Sequence, residues 1–479
     1  MSNGSGVNTG GHTGRKAGIL LAVSSLPTGD GEGALGAKSR EFVDFLASSG
    51  QGYWQILPIG PVGKTLSPYQ SRSAFAGNPT FIDPAAIHKN PRRYSRKGAF
   101  YSKFLAENAA WVYDYALFEA IRSSRKGSPL SSWPDEIRNP SSKTLAKLRR
   151  DYETDIAEIL YEQFCFFVQW NELKRYANLK KIDIIGDLPI YIYEDSAEFW
   201  LRRRMFDVDE TGRPASLAGV PPDGFSKSGQ IWDNPVYDWA KRKKEVFAFW
   251  RERLTQAARL YNGVRIDHFR GFADYFAIPV CRKEEEGATR PNRSPLPRGE
   301  WRPGPGKKFT DMVREDFPGL FVFAEDLGEL SAEARALVAD SGLPGMKVLQ
   351  FAFTGNPDNP YLPHNIQKNS VCCTGTHDND TLAGWLRSAP KKERDYAMAY
   401  LGLSQNADIH GAMLAQVLAS RADTAIIPFQ DWLGLGSEAR LNKPSTVGGR
   451  NWKWRIPEGA LTIGLASRIL YMTKKLYNR

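Results

Sequence analysis

Eight short runs along the chain are apolar, rich in β-branched or aromatic residues, and end in small or polar ones. They fall at 18–25 (GILLAVSS), 53–59 (YWQILPI), 182–190 (IDIIGDLPI), 263–269 (GVRIDHF), 320–327 (LFVFAEDL), 346–353 (MKVLQFAF), 371–378 (VCCTGTHD) and 424–429 (TAIIPF). Several are continuous rather than alternating, as strands buried on both faces are. Apolar positions at helical spacing lie between most of them, at 38–48, 156–177, 243–261, 331–341, 391–401 and 412–420. Strand and helix in alternation predict a parallel sheet with right-handed crossovers. Eight such units predict a closed (β/α)8 barrel, here a single catalytic unit over 15–479. An open doubly wound sheet is the alternative, but no GxGxxG or Walker-type loop supports it.

The runs are unevenly spaced. About 120, 70 and 50 residues separate the second from the third, the third from the fourth and the fourth from the fifth, each more than one crossover helix requires. Insertions are therefore expected at about 60–150, 192–242 and 271–310, forming subdomains around the C-terminal face where this fold places its active site. Residues 285–305, rich in Arg, Pro and Gly, predict an exposed loop, and the Gly-, Ser- and Thr-rich 1–14 a disordered lead-in.

Composition narrows the function. The net charge is +11, from 64 basic and 53 acidic residues. The basic residues are dispersed, and runs such as Arg202-Arg203-Arg204 alternate with aromatic and acidic ones, which suggests solvated helix faces rather than a nucleic-acid stripe. Four cysteines, Cys165, Cys281, Cys372 and Cys373, form no CxxC pair, a reduced-thiol usage that fits the cytoplasm. Adjacent Cys372 and Cys373 should point to opposite faces of a strand. No run reaches the length of a membrane span, and the N-terminus lacks a secretory pattern. The 13 Trp serve either a large aromatic core or platforms on which pyranose rings pack.

Four acidic residues end predicted strands: Asp187, Asp267, Glu325 and Asp378. In a barrel these ends converge on one mouth. Crowded carboxylates separate in pKa, so that one stays ionised while another keeps its proton. Cleavage of a glycosidic bond needs that division. For any one of them alone, a helix N-cap or a loop salt bridge is the blander reading, and Asp326 is a candidate N-cap. In GVRIDHFRG (263–271), Arg265 and Asp267 share a strand face, as a nucleophile with its orienting cation or as a structural ion pair. His268 is placed to donate to a sugar hydroxyl.

GVRIDHFRG, FAEDLG (323–328) and GTHDNDT (375–381) together resemble the amylomaltases and disproportionating enzymes, glycoside hydrolase family 77 of the α-amylase clan. SPYQSRSAFAGNP (67–79), GDLPIYI (186–192), AGVPPDGFSKSGQIWDNPVYDW (218–239), GLPGMKVLQFAF (342–353) and DWLGLGSEARLNKP (431–444) resemble further family motifs in the family's order. The resemblance runs from about Gly18 to Arg455. It implies a 4-α-glucanotransferase acting by retaining double displacement on maltooligosaccharides, starch or glycogen. Asp267 is then the nucleophile, Glu325 the general acid and base, and Asp378 the carboxylate that stabilises the transition state. Tyr69, Asp187, Arg265, His268, His377 and Asn451 are implied sugar-binding positions. So are Asp223 and Trp232, in a segment resembling a loop that arches over the cleft; a core position in that loop is the alternative for Trp232. No cofactor or metal is expected, nor a C-terminal β-sandwich, since about 50 residues follow the eighth run. Two departures stand out: LLAVSSLP, where many relatives carry His-Pro after the Leu pair, and GGRNWKWR near the C-terminus. The alternatives are a hydrolase of the same clan and a catalytically silent glucan-binding protein.

Overall fold

The computed structural model describes residues 14–29, 33–222, 229–280, 299–328, 330–404 and 406–479. Among them the strands are β1 (Lys16–Leu20), β2 (Tyr53–Gln55), β3 (Asp183–Leu188), β4 (Ser216–Val220), β5 (Gln230–Pro235), β6 (Gly263–Ile266), β7 (Asp274–Pro279), β8 (Glu300–Pro303), β9 (Phe321–Ala324), β10 (Gly345–Val348), β11 (Ser370–Cys373) and β12 (Thr424–Pro428). Eight of these close a barrel in the order β1-β12-β11-β10-β9-β6-β3-β2, with every pair parallel. They are the eight runs expected from the sequence, and the fold is the (β/α)8 barrel. The helices Ala37–Ser48, Glu153–Leu179, Lys243–Leu260, Ala332–Ser341, Lys391–Tyr400 and Ile409–Ala419 match the six helical periodicities.

Strand alternation sorts the core into two layers. Leu20, Tyr53, Ile185, Phe323, Val348 and Cys373 belong to one buried cluster, the barrel interior. Their strand neighbours Ile19, Trp54, Ile184, Val322 and Cys372 belong to a second, between barrel and helices. Cys372 and Cys373 thus face opposite ways, as the period of two requires. Cys165, Cys372 and Cys373 are free and buried; Cys281 lies outside the described residues. Five of the 13 Trp (Trp54, Trp133, Trp170, Trp250 and Trp432) are almost wholly buried, so the core claims a large share of the aromatic content.

Between β2 and β3 the chain forms the short helices Pro84–Lys89, Ala99–Glu107, Val112–Ser124, Asp135–Arg138 and Ser142–Asp151 before the 27-residue helix Glu153–Leu179. A second sheet, antiparallel and ordered β5-β4-β7-β8, draws two strands from the segment after β3 and two from the segment after β6. After β12 the described residues hold the helices Phe429–Trp432 and Ile463–Leu470, a 3-10 turn and a π-helical turn, and no strand. No helix among the described residues is long and apolar enough to cross a membrane.

Gly186 faces outward from β3, against the ring of Tyr261. A Cβ there would lie 2.4 Å from two ring carbons of a buried side chain. Gly186→Ala should lower the unfolding free energy by about 1–3 kcal/mol through overpacking. The check is a urea titration in which the midpoint falls while the slope is unchanged.

Candidate functional site

Register places the site. β3 and β6 pair Asp187 with Arg265, and β6 and β9 pair Ile266 with Ala324. One residue further, Asp267 and Glu325 stand level at the carboxyl ends of neighbouring strands. Backbone hydrogen bonds continue past the strand ends: Asp267 N donates to Leu188 O (3.0 Å), Glu325 N to Ile266 O (3.0 Å) and Phe269 N to Glu325 O (3.1 Å). Residues two apart share a face, so Arg265 and Asp267 turn inward together.

Arg265 lies at the centre, with only 4% of its side chain exposed. Its Nη1 donates to both oxygens of Asp187 (2.9 and 2.8 Å) and lies 2.8 Å from Asp267 Oδ1. Nη2 is 3.7 Å from Glu325 Oε2. Burial works against the guanidinium's charge, but the carboxylates outweigh it and hold its pKa well above the ordinary arginine value. One cation cannot neutralise three carboxylates. Burial pushes Glu325 up to about 7, further than Arg265 and two backbone N–H groups pull it down. Burial also raises Asp267, to about 6, against the pull of Arg265. Asp267 keeps 26% of its side chain open to the cleft and contacts the guanidinium directly, whereas Glu325 keeps 13% and stands farther off. Asp267 is therefore the group that ionises first and Glu325 the one that retains a proton.

His268 carries positive φ (48°), a left-handed conformation uncommon outside glycine. That bend aims its backbone N–H at Glu325 Oε2 (2.7 Å), while Leu327 N reaches Oε1 (3.2 Å). The imidazole of His268 packs edge-on to Trp232 at 4.7 Å. Burial, with Arg270 nearby, lowers its pKa to about 3, so the ring is neutral. Its Nε2 is buried with no hydrogen-bond partner among the described residues. Trp232 Nε1 donates to Gln230 Oε1 (3.2 Å).

On the opposite wall, Tyr69 Oη donates to Asp187 Oδ2 (2.7 Å) and its ring stacks on His377 at 5.1 Å. His377 Nε2 is 3.4 Å from Asp378 Oδ2, and Asn442 Nδ2 donates to Asp378 Oδ1 (2.6 Å). The structure therefore brings Tyr69, Asp187, Arg265, Asp267, Glu325, His377 and Asp378 into one connected group, with His268 and Trp232 beside it. Asn451 stands apart. Its amide accepts from Lys443 N (3.1 Å) and donates to Thr446 O (3.1 Å), bracing the loop between them. Its neighbour Trp452, at φ 65°, is the residue that meets Tyr69 and His377, with both ring centroids 5.9 Å away. Asp223 lies outside the described residues.

Asp326 is not an N-cap. Its Oδ1 accepts from Met346 N (2.6 Å) and its Oδ2 lies 3.3 Å from Lys347 Nζ, which ties it to β10. The next helix begins six residues later and is capped by Ser331, whose Oγ accepts from Ala334 N (3.1 Å). Sequence reasoning passed over Asn442, although it lies within the quoted DWLGLGSEARLNKP segment. It also passed over Arg253, whose buried guanidinium donates to the carbonyls of Pro189 and Ile190 just beyond β3.

A family model described as 4-alpha-glucanotransferase (glycoside hydrolase family 77) matches residues 21–100 and 86–462. The chain belongs to the 4-alpha-glucanotransferase family. It is 40% identical to the 4-alpha-glucanotransferase of Thermus thermophilus, over 96% of this chain and 98% of that one. It is 37% identical to that of Clostridium butyricum, over 96% and 100%. Among solved structures it resembles the amylomaltase of Streptococcus agalactiae in complex with acarbose: TM-score 0.88, 33% identity, 97% of this chain and 99% of that one.

Removing the central cation should be costly for this family member. Arg265→Met leaves Asp187 and Asp267 buried without their partner, and should lower the unfolding free energy near neutral pH by about 3–5 kcal/mol. Denaturant unfolding at pH 7 and pH 5 checks it: the deficit should shrink at the lower pH, where Asp267, raised by burial, takes up a proton.

Proposed function

We propose that this chain transfers α-1,4-glucan segments between maltooligosaccharides, or along starch or glycogen chains, by retaining double displacement. The observation that carries the reading is the unequal contact of one guanidinium with Asp187, Asp267 and Glu325, which favours ionisation of Asp267 ahead of Glu325. Asp267 attacks the anomeric carbon of the donor. Glu325 gives its proton to the glycosidic oxygen, and the shortened chain departs. The 4-hydroxyl of an acceptor sugar then enters, Glu325 takes its proton, and the new bond displaces Asp267. Asp378, held by Asn442, binds hydroxyls of the reacting sugar and strengthens those bonds as positive charge develops. Tyr69, Asp187, Arg265, His268 and His377 line the same sugar, with Trp232 and Asp223 as further contacts and Asn451 acting through the loop it braces. His268 Nε2, which has no partner among the described residues, suits a sugar hydroxyl.

Transfer prevails over hydrolysis when an acceptor glucan is held against the intermediate and water is displaced. The second sheet and Trp232 beside the nucleophile favour that outcome. The buried free thiols favour a cytoplasmic enzyme.

Product analysis on maltotriose tests the reading. A ladder of longer oligosaccharides is expected; glucose and maltose without a ladder would make the enzyme a hydrolase. Asp267→Asn should lower turnover by roughly 10⁴-fold or more while glucan binding persists. Unchanged turnover would refute the nucleophile assignment. Activity needs Asp267 charged and Glu325 protonated. kcat/KM should therefore rise as pH passes about 6 and fall as it passes about 7, the apparent values belonging to the pair. A profile flat from pH 5 to 8 would contradict the pairing.

A further inference from the structure

The second sheet presents two unlike faces. Tyr275 and Ala277 of β7 and Ala218 of β4 bury one face in the core. The other carries a row set by register: Ile231 on β5, Gly219 on β4, Phe276 on β7 and Trp301 on β8. Paired residues on neighbouring strands share a face, so these four positions run across the sheet for roughly 14 Å, three strand spacings. Trp301 ends the row on the edge strand, and 43% of it is exposed. Glu300, Arg302 and Pro303 blunt this edge with charge and proline, and the indole is the large apolar side chain that they leave exposed among them.

The ring is held rather than loose. The Arg270 guanidinium stacks 4.1 Å from its centroid, and Phe276 packs 5.2 Å away at a tilt. Arg270 is fixed in turn by Asp274 (2.5 Å), whose other oxygen accepts from Ser331 Oγ (2.6 Å). Arg270 lies in the turn Phe269–Phe272, three residues past Asp267, and Ser331 lies six past Glu325. The platform is therefore fastened to both catalytic loops. An indole with its position fixed and 43% of it exposed suits the apolar face of a pyranose ring.

We infer that Trp301 is a stacking platform for the outer glucose units of a long α-glucan, beyond the sugars that react. The inference rests on the transferase reading and adds chain-length preference to it. A substrate too short to reach the platform gains nothing from it; a long chain gains affinity.

Steady-state kinetics of the wild type, Trp301→Ala and Trp301→Tyr on maltotriose and on long-chain amylose test this. In Trp301→Ala, KM for amylose should rise about five- to tenfold, as loss of an anchoring Trp does. The maltotriose constants should be unchanged, and Trp301→Tyr should recover most of the loss. Equal KM rises on both substrates would mark a structural role and overturn the platform. So would an unchanged amylose KM, including one accompanied by an altered oligomeric state on gel filtration, which would assign the indole to a protein contact. A wild type inactive on both substrates would instead overturn the transferase reading, and the platform with it.

Discussion

The site depends on one buried guanidinium. Arg265 touches Asp187, Asp267 and Glu325, and its single positive charge cannot satisfy all three. Asp187 takes the closest share, bound through both oxygens and completely buried. Asp267 takes the next and still faces the cleft. Glu325 is left with the weakest electrostatic support and the strongest reason to stay protonated. The inequality follows from distances of 2.8 and 3.7 Å in a site where water screens little. Two carboxyls of nearly the same intrinsic acidity thereby acquire different proton affinities.

The closed parallel barrel makes the inequality possible. Its register sets Asp187 beside Arg265 and brings Asp267 level with Glu325, so no loop has to find its own position. Supporting contacts come from far away in sequence. Tyr69 reaches Asp187 across 118 residues, and Asn442 reaches Asp378 across 64. Arg253, on the helix before β6, clamps the backbone just past Asp187. Each such brace limits the freedom of a charged group, which is how a site keeps its geometry as charge moves.

The barrel was legible because its strands announce themselves. VCCTG and TAIIPF are continuous apolar runs, and a carboxylate or polar turn closes several of them. Asp267 and Glu325 were legible for the same reason: each is the first residue past a strand. The second sheet was not foreseen. Its strands are short and separated by other elements, and half of them come from each of two distant insertions, so no local window contains a pairing. Even DYFAIP, whose burial alternates over its first four residues, reads in sequence as a continuous apolar run with no period of two. The C-terminal wall was obscure for a different reason. Asn451 and Trp452 are adjacent, and sequence pattern alone cannot say which turns toward Tyr69. The positive φ of Trp452 decides it by reversing the chain there. Asp326 misled for a related reason. An acid shortly before a helix suggests a cap, but tertiary pairing with β10 overrode the local preference.

Left-handed residues recur at this mouth, and their position argues for a shared purpose. His268 and Trp452 both pay a steric penalty that glycine would avoid. Glycine at 268 would keep the N–H that Glu325 accepts but lose the ring that packs on Trp232. Glycine at 452 would keep the turn but lose the wall behind Tyr69 and His377. In both cases the chain carries strain of order 1–2 kcal/mol per residue to place a side chain and a backbone turn at the same point. Such strain persists only where the surroundings over-determine the conformation. Here they do: the N–H of His268 is held by Glu325, and that of Trp452 by the carbonyl of Leu441 (2.7 Å). As an acceptor Glu325 also fixes the turn that follows Asp267, so the positions of both side chains are set by the same hydrogen bond.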